Sequence, residues 1–139
     1  MATSSDSVRI LLSDRMSTIW IAQAGTAELF RKGVQEPDLL QQVEPFALFS
    51  VGLPDFRQGD MNGTTPLQRG FGEIHTDLYA RNGKGSKPLF DMLDVVRAAF
   101  AIQMVGDIRL YGVTCKEQEP AIGWQSWFTT VPFQFDSVT

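Results

Sequence analysis

The chain has 139 residues, 43% hydrophobic and 20% charged, which suits one globular domain with a real core and excludes a disordered tail. Its net charge of −4 argues against a tight grip on a phosphate backbone, and its single cysteine, Cys115, excludes an internal disulfide. One Cys and one His also exclude a closed thiolate–imidazole zinc site within one chain, and no apolar run approaches the ~18–20 residues of a membrane span.

Residues 1–6 are small and polar, without the basic and apolar regions of a secretion signal, and read as a mobile arm. From Ser7 the apolar period turns helical. Val8, Leu11, Leu12, Met16 and Ile19 share one face, with Ser5 or Ser7 as N-cap and a fade near residues 20–24, before Gly25. Residues 26–32 form a short candidate strand, Pro37 breaks its continuation, and residues 39–43 are ambiguous. Residues 45–53 (PFALFSVGL) are nearly continuous in apolar groups, as expected of a strand inside a sheet. Gly59, Asn62-Gly63 and Pro66 make residues 57–66 a long loop or an open hairpin tip. Residues 68–80 resume as a strand, with Ile74, Thr76 and Leu78 interleaved with Glu73, His75 and Asp77.

Residues 81–87 (RNGKGSK) are a flexible, basic connection. Pro88 suits a first helical turn, and Leu89, Leu93, Val96, Phe100 and Met104 follow on one face until Gly106. Residues 107–115 alternate as a strand, and residues 116–122 turn the chain back. The last strand, GWQSWFTTVPFQFD at residues 123–136, is apolar on both faces. Trp124, Ser126, Phe128 and Thr130 take one side; Trp127, Thr129, Val131, Phe133 and Phe135 take the other. Pro132 cannot donate to a ladder, so one side there is unpaired or bulged. The order α-β-β-β-α-β-β defines one α+β domain, two helices packed on a mainly antiparallel sheet.

Three stretches imitate chemistry. Residues 82–87 lie where a phosphate cradle would sit, but the GxxxxGK[ST] spacing is absent and Pro88 removes an amide. Arg69-Gly70-Phe71-Gly72 with Ile74 resembles the inner signature of the RNA-recognition motif. Yet Glu73 and Thr76 stand where its rings belong, and residues 53–69 are too few to hold the intervening helix. His75 and Asp77 share a strand face, most simply a solvated one, and no GxSxG elbow supplies a nucleophile. Asp91 and Asp94 flank the apolar helix face as its solvated side. No catalytic residue, cofactor or metal ligand is expected. What remains is an aromatic surplus: Trp20, Phe30, Phe46, Phe56, Phe71, Trp124, Trp127, Phe133 and Phe135 are more large rings than two short helices easily cover. Either they form an aromatic core or some lie at a subunit boundary, where aromatics are enriched.

With that order in hand, the sequence resembles the tail terminator proteins of long-tailed, non-contractile bacteriophages. The likeness is carried by residues 69–136: Gly70-Phe71-Gly72-Glu73-Ile74, the linker Arg81-Asn82-Gly83-Lys84-Gly85, the helix at residues 88–104, and the ending Gly123-Trp124-Gln125 … Val131-Pro132-Phe133-Gln134-Phe135-Asp136. The N-terminal half agrees in layout more than in letters. The resemblance implies a ring, hexameric by expectation, that stops tail-tube polymerisation, docks the head–neck connector and leaves a channel for DNA that passes without specific binding. It implies a virion protein assembled in a bacterial host cytoplasm, with no membrane partner. A heterologous ring needs a seam, for which Trp127, Phe133 and Phe135 are the candidates. Arg57, Asp60, Asn62, Arg81, Lys84 and Lys87, on two loops, are the candidates for touching the tube or connector. The alternatives are a head-closure or neck protein and, from another class, a small enzyme or ligand-binding α+β domain.

Overall fold

Two strands much longer than the rest set the architecture. The computed structural model describes residues 4–35, 37–52, 55–62, 65–119 and 122–138, with the backbone alone at 55–62, 65–68 and 137–138. Its elements are α1 (Ser5–Gln23), β1 (Glu28–Arg31), β2 (Phe46–Val51), β3 (Asp55–Asn62), β4 (Thr65–Arg81), α2 (Lys87–Phe100), β5 (Gln103–Val105), β6 (Ile108–Leu110), β7 (Thr114–Glu117) and β8 (Trp124–Val138). β4 and β8 run antiparallel in unbroken register from Leu67 opposite Val138 to Arg81 opposite Trp124. Every other strand is attached, directly or through one neighbour, to this central pair.

Each long strand divides its outer margin between two short ones. β4 pairs with β2 over residues 74–79 and with β3 over residues 65–71; β8 pairs with β7 over residues 127–130 and with β6 at Phe133 and Gln134. The eight-stranded sheet therefore has two storeys, β1-β2-β4-β8-β7 and β3-β4-β8-β6-β5. All its pairs are antiparallel except β1 with β2. Pro132 lies where the margin of β8 changes partner from β7 to β6, so its missing N–H falls in the gap between two ladders.

Both helices pack on one face of the sheet. Val8, Leu12, Met16 and Trp20 from α1 and Leu89, Met92, Val96 and Phe100 from α2 meet Phe49, Ile74, Leu78, Val131, Phe133 and Phe135 in one cluster. Full burial of each such side chain contributes roughly 1.5–3 kcal/mol before entropy is subtracted. The fold is an α+β single domain with two helices on a mostly antiparallel sheet, as the alternation and helical periods indicate.

Several details depart from the sequence reading. α1 begins at Ser5, capped by Ser4, whose Oγ accepts from the Ser7 N–H at 3.1 Å, so Ser5 and Asp6 are helical rather than part of an arm. Trp20 rather than Leu11 completes its buried face; Leu11 is 41% exposed. Of the two readings of residues 57–66 the hairpin holds and the long loop does not: β3 folds back on β4, irregular between Gln58 and Met61. α2 stops at Phe100, its C-cap Ala101 being extended, and Met104 sits exposed on β5 instead of on the helix. Pairing with β6 across Gly106, whose φ of 58° suits a tight turn, takes over where the helical period still continues in the sequence. Residues 107–115 split into β6 and the start of β7.

Candidate assembly surfaces

The alternation of β8 builds two apolar faces, and the protein closes much of the second by itself. Trp124, Phe46 and Phe30 are buried there, with Leu48 and Tyr79 packed against them. Phe46 stacks on Tyr79 at 4.7 Å and meets Trp124 edge-on at 5.1 Å. Arg81 sits 4.5 Å over the Trp124 ring and donates to the Gln42 carbonyl at 2.6 Å, while Trp124 Nε1 reaches the Leu39 carbonyl at 3.4 Å. Arg81 is half-buried and engaged inside the protomer, tying residues 39–42 over the aromatic end of the sheet.

The seam residues divide in the same way. Phe133 and Phe135 are each 1% exposed and stack at 6.2 Å within the helix-side core, so neither offers a ring to a neighbour. The physical reason is the backbone opposite them. Gly72 pairs with Phe133 and Gly70 with Phe135, and a Cβ at either glycine would lie 2.5 Å from the ring that covers it. The two glycines create the slots that draw the rings inward. Trp127 is half-buried and packs edge-on at 4.7 Å against Phe90, which is 54% exposed, so this corner does present aromatic surface. Lys84 is exposed in the turn before α2, and exposed Lys87 pairs with Asp91 at 2.7 Å. The side chains of Arg57, Asp60 and Asn62 lie outside the described residues; their backbone is in β3.

The rest of the second face is a polar trough. Leu48, Asp77 and Phe128 lie abreast in one row, Ser50, His75 and Thr130 in the next. His75 stacks on Phe128 at 5.3 Å, and its Nε2 lies 3.5 Å from Glu73 Oε2. His75 Nδ1 and Asp77 Oδ1 are buried without a hydrogen-bond partner among the described residues. Burial pushes the Asp77 carboxyl above its ordinary range, opposed by the charges of Lys32 and His75. A shallow cavity of about 240 Å³ opens between Lys32, Ser50, His75, Asp77 and Phe128. This face is half-buried, not the fully solvated one expected from alternation alone. Among the described residues no three His, Cys, Asp or Glu side chains are grouped to hold a metal, and no helix is long and apolar enough to cross a membrane.

Two sheet margins are open at the same height. Among the described residues β1 pairs with β2 alone, its Arg31 carbonyl accepting from the Val34 and Gln35 N–H groups of the next turn, and beside it lies a groove of about 500 Å³ walled by Trp20, Ile21, Leu29, Phe30 and Gln35. Among the described residues β7 pairs with β8 alone, and all four of its residues are exposed. Sequence reasoning missed both. A strand reading TCKE carries no apolar alternation that would mark it, and the edge position of β1 depends on topology.

No protein-family model and no curated protein matches this chain. Solved structures do. One chain without a descriptive name superposes with a TM-score of 0.64 at 11% identity, covering 96% of both chains. A chain from the virion of a native gene transfer agent (GTA) particle superposes with a TM-score of 0.57 at 11% identity, covering 97% of this chain and 100% of that one. At such identity the likeness is one of fold, and it extends over the whole domain rather than over a shared fragment.

Proposed function

We propose that this chain is a structural protein of a phage-like virion, and within that class a tail terminator. In this role it forms a hexameric ring that caps the tail tube, stops its growth, docks the head–neck connector and leaves a lumen for DNA. The observation that carries the proposal is the whole-length match in fold to a chain of the GTA virion. The terminator-like residues 69–136 support it from the sequence, above all the closing Val131-Pro132-Phe133 with Asp136. The physical chemistry is compatible. Open margins on opposite sides of one sheet suit a heterologous contact, and a net charge of −4 suits a lumen through which DNA slides without adhering. The work of such a protein is assembly, with no catalytic step and no cofactor.

Deleting the gene in the phage or particle that encodes this chain tests the role by electron microscopy. A terminator leaves overlong tails when lost. A head-closure protein leaves tails of normal length and heads that leak DNA, and that outcome would move the assignment to the neck. Unaltered particles would remove the chain from virion assembly altogether.

A further inference from the structure

We infer that neighbouring copies of this chain join by antiparallel pairing of β1 on one copy with β7 on the next, continuing the upper storey of the sheet across the subunit boundary. The inference deepens the ring proposed above and rests on it.

The registers bring these two edges to one level. Leu29, Ala47, Leu78, Trp127 and Glu117 lie abreast, as do Arg31, Phe49, Thr76, Thr129 and Cys115. The storey thus begins at β1 and ends at β7 without a step between its margins. β1 runs with β2, β2 against β4, β4 against β8, and β8 against β7, so β1 and β7 point in opposite directions. A second copy placed beside the first in the same orientation therefore presents β7 antiparallel to β1, the arrangement that needs no crossover and pairs with perpendicular hydrogen bonds. The contact is heterologous, one margin meeting a different one, as ring closure requires.

The side chains agree with this occupant. At level register Leu29 faces Glu117 of the neighbour, Phe30 faces Lys116 and Arg31 faces Cys115. Arg31 is then the diagonal same-face neighbour of Glu117, and Glu28 that of Lys116. Each face of the joint gains one opposite-charge pair and places no like charges directly opposite. The groove beside β1, with Ile21 at 85% exposed on its rim, leaves room for an added strand. β7 buries no side chain of its own; its four-residue ladder to β8 is supplemented by Thr114 Oγ1 donating to the Thr130 carbonyl at 3.3 Å and the Gln118 N–H donating to the Ser126 carbonyl at 3.1 Å. Such an edge gains order from a second strand.

The test uses the native Cys115. In the full-length protein, R31C places a thiol opposite Cys115 of the neighbour, at the ~4.5–5.5 Å Cα separation of facing antiparallel residues and within disulfide reach. Mild oxidation of assembled R31C is expected to give a ladder of covalent oligomers that collapses on reduction, with peptide mapping joining position 31 to position 115. R31C/C115S should stay uncrosslinked. L29C/E117C in a C115S background probes the next row and carries the test if R31C alone fails to fold. Rings seen by electron microscopy, free or on tail tubes, that give neither link overturn this seam and leave the ring intact. Links joining 31 to 31 or 115 to 115 also overturn it. Failure to find rings or either link overturns the seam and the ring together.

Discussion

At the scale of single residues, the most instructive are two rings and two glycines. Phe133 and Phe135 look available on a strand that is apolar on both faces, yet each lies over a glycine in the opposite strand and is sealed under the helices. The pattern was present in the sequence as two matching period-two runs, Gly70-x-Gly72 and Phe133-x-Phe135, but only the register shows that they coincide. Phe133→Asp is accordingly expected to unfold the protein rather than merely to stop assembly. Phe133→Ala should cost about 3–5 kcal/mol in denaturant unfolding. Gly72→Ala should cost about 1–3 kcal/mol, because the Cβ meets the Phe133 ring at 2.5 Å and the ring is packed too closely to retreat. A near-neutral Gly72→Ala would mean that the ring is loose. Asp77 gives a pH signature. Its folded pKa is raised by burial, so the folded state favours the protonated acid. The charged form therefore costs stability above the folded pKa, and that cost disappears below the ordinary carboxylate range near pH ~4. Asp77→Asn should raise Tm at pH 7, with the gain shrinking as the pH falls. A gain independent of pH would show that desolvation of the charge is not its cause.

At the scale of elements, what was legible is what alternation and helical period can encode. The two helices, β1, β2, the core half of β4 and the division of β8 into two faces all follow from local pattern, because each buries its own apolar stripe against the sheet. The illegible parts are those decided by distant partners. α2 loses Met104 because residues 103–105 gain a ladder with β6, and the spacing of apolar residues does not register that competition. The cover of the second face is likewise non-local: Arg81, at the head of a stretch that reads as a flexible, basic connection, bridges the Trp124 ring and the Gln42 carbonyl. Arg81→Ala is expected to loosen residues 39–42, seen as faster amide exchange there and a red-shifted tryptophan emission, with the helix-side core unchanged. Protection unaltered at residues 39–42 would show that the segment is held by other contacts. Lys84→Ala, in an exposed turn, should leave the fold intact and the unfolding free energy within about 0.5 kcal/mol of the parent.

At the scale of the whole molecule, the surplus of large rings shrinks to the exposed corner of Phe90 and half-buried Trp127. Most of the large rings are satisfied inside the protomer, in the helix-side core and in the cluster of Phe30, Phe46 and Trp124. What the fold leaves incomplete is its sheet margins and a corner where Phe90 and Trp127 meet solvent. A two-storey sheet with level open edges is a part that its own copies can extend, and its fold is shared over full length with a chain of a GTA virion. The measurement that tests this most directly is the length distribution of tails assembled with and without the chain, read by electron microscopy. The account predicts tails of one length when it is present, each capped by a ring, and uncapped tails of indefinite length when it is absent. Tails of the same uniform length in both cases would contradict it.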